Sequence, residues 1–141
     1  MTIRFVLENV KRPALDYPLL KKVINRIVSD FKFVATDITF IFCDDNYLLD
    51  LNVRFLAHNY FTDILTFNYN IDKNLSGDIF ISIDRVHDNA KSFNCTFDEE
   101  ICRVIFHGIL HLAGLDDHDE MDIIRMREME DKYLAIYREL V

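Results

Sequence analysis

One stretch of this sequence marks both ends of a helix and so constrains the chain around it. Thr96-Phe97-Asp98-Glu99 fits a capping box, in which the cap and the third helical side chain satisfy each other's backbone donors. An apolar-rich run follows as far as Ala113, and Gly114 is placed to end the helix in a left-handed conformation. Within it, His107 and His111 stand four residues apart. Positions four apart lie one above the other on a helix, so both imidazoles share one face.

The other elements follow from hydrophobic period and punctuation. Residues 2–7 read as a strand, and Asp16 is placed to cap a helix over about 17–31 with Pro18 in its first turn. Ile38–Cys43 is a β-branched and aromatic run typical of a strand. Asp44 or Asp45 can cap a helix over about 46–56. Ile64–Phe67 and Asp78–Ser82 are two further strands, the second entered through Gly77, and helices are expected at about 83–92 and 120–139. The order β-α-β-α-β-β-α-α-α predicts an α+β fold: a small mixed four-stranded sheet packed with about five helices. The order of strands within the sheet is not legible at this level.

A chain of 141 residues suits one domain over 1–141, and three glycines and two prolines argue against flexible linkers. No apolar stretch approaches the roughly 20 residues of a membrane helix, and no signal peptide is expected in the opening Met1–Val6. Cys43, Cys95 and Cys102 form no C-x-x-C pair, so reduced, buried thiols and a cytoplasmic location are expected.

His107 and His111 can offer two nitrogens to one zinc ion, and a catalytic zinc site uses three protein ligands plus water. The extended zinc-protease pattern H-E-x-x-H-x-x-G-x-x-H places a glycine seven residues, and a third ligand ten residues, after the first histidine. Here those positions are Gly114 and Asp117, with His118 one step further. Spacing favours Asp117 and zinc's taste for imidazole favours His118, so both stay open. A zinc ion would lower the pKa of a bound water toward about 7, which suits metal-assisted hydrolysis. The glutamate base of the protease pattern is replaced by Gly108, which disfavours peptide hydrolysis by that route. A close approach of ligand or backbone, or simple packing on a strand, would each explain a glycine inside this helix. Asp63, just before a strand, is a candidate for holding a ligand imidazole in one tautomer, the alternative being a turn or strand-edge contact. His87 has no partner at a telling spacing and reads as structural.

The net charge of −8 is unevenly placed. Residues 1–70 carry eight acids and eight bases, whereas 71–141 carry sixteen acids and eight bases. Such a chain does not grip nucleic acid by charge alone.

Four segments together resemble the YbeY family of metal-dependent bacterial endoribonucleases. His107-Gly108-Ile109-Leu110-His111-Leu112-Ala113-Gly114 is similar to its H-G-x-L-H-L-x-G signature. Leu51-Asn52 through Thr62-Asp63-Ile64-Leu65-Thr66-Phe67 resembles its L-N…T-D-V-L-S-F, Gly77-Asp78-Ile79 its G-D-I strand, and Glu99 or Glu100 falls near a familiar acidic position. The resemblance covers nearly the whole chain. It implies a three-residue zinc site, cleavage of single-stranded RNA, small-subunit ribosomal RNA maturation and ribosome quality control. The ribosome or its proteins would be partners, with no role for DNA or membrane. His107 and His111 map onto the first two ligands, and the third falls at Asp117, or at His118 if one residue has been gained. The family's reactive arginine falls at Leu56. Arg54 would face elsewhere on its helix, and His58 is a nearby candidate cation when protonated.

Three functions remain in view: a zinc-dependent endoribonuclease, a metal hydrolase of a non-nucleic substrate, and a ribosome-associated protein with a structural zinc. Ligand number separates the last from the others, since four protein ligands close a site and three leave it open. For RNA, the acidic balance shifts the burden to the neutral first half, to a ribosomal partner, or to stacking on aromatics such as Tyr47, Phe55, Tyr60 and Phe61.

Overall fold

A computed structural model describes residues 2–141. The elements run β1 (Thr2–Glu8), α1 (Tyr17–Asp30), β2 (Val34–Cys43), α2 (Asp45–Leu56), β3 (Ile64–Asn68), β4 (Asn74–Ser82), α3 (Ile83–Ser92), α4 (Phe97–Leu112) and α5 (Glu120–Leu140). The expected α+β class holds, with a mixed four-stranded sheet and five helices among the described residues. Strand order is β1-β2-β4-β3; β1, β2 and β4 run parallel, and β3 returns antiparallel to β4.

Local chemistry starts each helix where the sequence suggests. Asp16, Asp44, Ser82, Thr96 and Asp119 each accept a backbone N–H three residues on, filling one of the donors a helix start leaves open. Two strands are longer than the periodicity predicts. β2 begins at Val34 and β4 at Asn74, because Val34 and Ala35 pair with Asn74 and Leu75 ahead of a register shift between Ala35 and Ile38. That irregularity breaks the alternation a sequence reading depends on. Gly77 therefore lies inside β4, paired to Ile38 and Asn68, rather than at its entrance.

The main core joins α1, α4 and α5 to one face of the sheet. Ile38, Phe40, Phe42, Leu75, Ile79 and Ile81 of the strands are buried there against Leu20, Ile24 and Ile27 of α1, Ile105 and Ile109 of α4, and Tyr133 of α5. A smaller cluster on Cys43, Leu48 and Leu65 lies under α2, with Tyr47 and Phe80 beside it. Gly108 explains itself here: a Cβ at this position would come within 2.9 Å of Ile79 Cγ2 and 3.0 Å of Ile64 Cδ1. The missing side chain lets α4 lie directly on β3 and β4.

Cys43 and Cys102 are buried and Cys95 only partly so, and all three are free thiols. Burial, with some help from nearby acids, pushes Cys43 and Cys102 up to about 12, far from a reactive thiolate. Among the described residues no helix is long and apolar enough to cross a membrane.

Candidate metal centre

The last turn of α4 and the connection to α5 build the site. Gly114 adopts φ +104°. Gly114 N–H donates to the His111 carbonyl, and Leu115 N–H to that of Leu110, each at 3.0 Å. This is a Schellman ending, in which the glycine reverses the chain and the following apolar residue packs back on the helix; Leu115 is accordingly buried. Asp119 then caps α5 through Asp122 N–H at 2.8 Å. Asp117 is held between these two fixed points.

The reversal brings Asp117 back to the two histidines. Its Oδ2 lies 3.4 Å from His111 Nε2 and 3.6 Å from His107 Nε2. One donor atom from each of His107, His111 and Asp117 lies within 4.8 Å of the others, close enough to hold a metal ion. Tetrahedral bonds of about 2.0–2.1 Å to zinc place neighbouring donors about 3.4 Å apart, and the two Asp117 distances match that spacing. The two imidazoles meet edge to face, with centroids 4.7 Å apart.

A fourth residue, invisible to the motif, orients the first histidine. Glu130 of α5 is 5% exposed, and its Oε2 accepts from His107 Nδ1 at 2.7 Å. A carboxylate only accepts, so Nδ1 carries a proton, and in the neutral ring Nε2, on the side of Asp117, keeps its lone pair. Carboxylate–histidine–metal arrangements of this kind orient the ring and raise its basicity. Arg103 in turn donates to Glu130 Oε1 at 3.0 Å and pairs with Asp131 at 2.8 Å. Burial opposes a charged His107, yet the Glu130 bond and the charges of Glu130, Asp117 and Asp63 outweigh it and raise its pKa.

His118 lines the cleft but lies outside the three-donor group, its side chain 83% exposed and its Nε2 4.0 Å from Asp116. Asp63 lines the same cleft as the triad and accepts from Asn89 Nδ2 at 3.2 Å, while the His107 Nδ1 position is taken by Glu130. Burial first of all holds the Asp63 carboxyl above its usual range, with His107 pulling the other way. His58 lies after α2, its Nδ1 2.9 Å from the Tyr60 hydroxyl and its ring stacked on Tyr60, outside the residues that wall the cleft. His87 stacks on Phe97 with centroids 4.2 Å apart. The cleft above the triad encloses about 810 Å³. Glu100, Arg103, Arg127 and Phe93 also line it.

The Endoribonuclease YbeY family model matches residues 8–138. The chain belongs to this family. An endoribonuclease YbeY from Porphyromonas gingivalis strain W83 is 39% identical over 139 residues, covering 99% of this chain and 92% of that protein. One from Flavobacterium johnsoniae is 48% identical over 101 residues, covering 72% of this chain and 73% of its own. The solution structure of TM1509 from Thermotoga maritima superposes with a TM-score of 0.67 at 29% identity, over 96% of this chain and 89% of that one. Where the family resemblance places an arginine, Leu56 lines the cleft, and Arg54 pairs outward with Asp50.

Proposed function

We propose that this protein is a zinc-dependent endoribonuclease that cuts single-stranded RNA, acting on small-subunit ribosomal RNA during maturation and quality control of the ribosome. The observation that carries the reading is the open triad: two imidazoles and one carboxylate at ion-binding distance, at the floor of a cleft. Membership of a family whose relatives are named endoribonucleases supports RNA as the substrate.

His107, His111 and Asp117 would hold the ion, with Glu130 presenting the His107 Nε2 lone pair to it. When bound, such an ion acidifies a coordinated water and offsets charge developing on a phosphoryl oxygen. Asp63, half-buried at the cleft wall with a raised pKa, is placed to carry a proton to or from the reacting groups. The exposure of His118 supports an open, three-ligand site over a closed structural one. His58 keeps a weaker claim, as a rim cation beside Tyr60.

The test measures cleavage of a labelled single-stranded RNA with and without chelator, alongside His111→Ala, Asp117→Ala and His118→Ala. Loss on chelation and in the first two variants, with His118→Ala near wild type and one zinc per wild-type chain, is expected. Activity that survives both chelator and His111→Ala would sink the reading.

A further inference from the structure

Beyond the triad the cleft continues along α4 toward that helix's first turn. There it adjoins a recess of about 170 Å³ walled by Phe93, Cys95, Glu99, Glu100, Arg103 and Arg127. Phe93, Glu100, Arg103 and Arg127 line both spaces.

Glu100 is the unusual residue here. It is 4% exposed, yet among the described residues no hydrogen bond or ion pair reaches its carboxylate. No polar side-chain atom that is both sealed from solvent and unpartnered exists among the described residues, so the Glu100 oxygens keep their contact with the cleft. The other buried acid of this region, Glu130, is by contrast met by both Arg103 and His107. A buried carboxylate without a donor carries a free-energy cost that calls for a partner. Phe93, just past α3, is 59% exposed and lines the same recess. Arg127 has a side chain 57% exposed, and Glu130 at 3.9 Å lies beyond hydrogen-bond reach of it. Arg103 is already committed to Glu130 and Asp131.

We infer that this recess is a nucleotide subsite that prefers guanine: the base stacks on Phe93, its N1–H and N2–H groups donate to the Glu100 carboxylate, and a flanking phosphate meets Arg127. Unpaired RNA bases are recognised in this way, by stacking on aromatic side chains and bonding along the Watson–Crick edge. A carboxylate offers two acceptors and no donor. Guanine alone among the four RNA bases presents two adjacent N–H donors on that edge; adenine and cytosine pair one donor with an acceptor, and uracil sets its donor between two carbonyls. Glu100 precedes His107 by seven residues, two helical turns or about 10 Å of rise. The seated base therefore belongs to a neighbouring nucleotide of the strand, not to the reacting linkage. This inference rests on the ribonuclease reading above.

Fluorescence anisotropy tests it with the full chain in excess chelator, so that bound RNA stays intact. The probes are labelled hexauridylate and the same hexamer with one central guanine. Wild type is expected to bind the guanine hexamer about tenfold more tightly. Glu100→Gln should reduce that preference to about twofold or less, because its amide opposes one donor with another. Phe93→Ala should weaken both hexamers by about fivefold or more, and Arg127→Ala should weaken both and lower the salt dependence by about one counterion. Equal binding of the two hexamers by wild type, or a preference that Glu100→Gln retains, overturns the subsite and leaves the ribonuclease reading standing. Wild type that binds neither hexamer also overturns the subsite, while the ribonuclease reading is decided separately by the cleavage assay above.

Discussion

Glu130 and His107 come from helices separated by a chain reversal, and their side chains meet at 2.7 Å in a contact that occupies Nδ1 and leaves Nε2 on the side of Asp117. Both Glu130 oxygens are used as acceptors, Oε1 from Arg103 and Oε2 from His107. A glutamine cannot reproduce this. Its amide either opposes the Arg103 donors or donates to Nδ1, which moves the ring proton to Nε2 and blocks the ligand atom. Glu130→Gln should therefore lower zinc affinity by about 10- to 100-fold. Competition with a chelating dye measures it, and an unchanged affinity would remove Glu130 from the site.

Gly108 offers a test of packing against propensity. Alanine is worth about 1 kcal/mol more than glycine inside a helix. Here its methyl group meets Ile79 Cγ2 at 2.9 Å, an atom fixed on the strand's own Cβ branch. Overpacking of this kind costs about 1–3 kcal/mol. Gly108→Ala should thus be destabilised by about 1 kcal/mol, read as a melting temperature about 3–4 °C lower. A melting temperature equal to or above wild type would show that α4 does not press on β3 and β4 as described.

Glu100 also predicts a pH signature. Burial, then the charge of Asp63, raises its pKa in the folded chain. Across the window just above the ordinary glutamate range, the folded state therefore holds a proton that the unfolded state has released. Stability falls as pH rises through that window. Above it the folded protein bears an ionised, unpartnered carboxylate, which Glu100→Gln lacks. In chelator, the variant should melt higher than wild type at pH 7, and the gap should close as pH is lowered toward about 4. A gap of the same size at both pH values would show that the carboxylate's charge is not its source.

How much of this was legible beforehand depends on the range of the interaction. Helix starts at Asp16, Asp44, Thr96 and Asp119 are settled within three residues, so they can be read from the chain. The pairing of His107 with His111 follows from the helical period, and counting residues past Gly114 narrows the third donor to Asp117 or His118. The α+β class follows from the order of periodic segments.

The sequence alone determined the histidine helix, its glycine stop and a carboxylate at the right remove, because each is encoded by neighbours within one or two turns. Tertiary structure decided which of Asp117 and His118 lies within reach of the imidazoles, since adjacent residues in a short, doubly anchored connection point different ways. It also decided the strand order, the early starts of β2 and β4, and the convergence of Phe93, Glu100, Arg127 and Glu130 on one cleft. Glu130 lies 23 residues from His107, and no spacing rule links two helices whose contact is set only when α5 packs across α4 and α1.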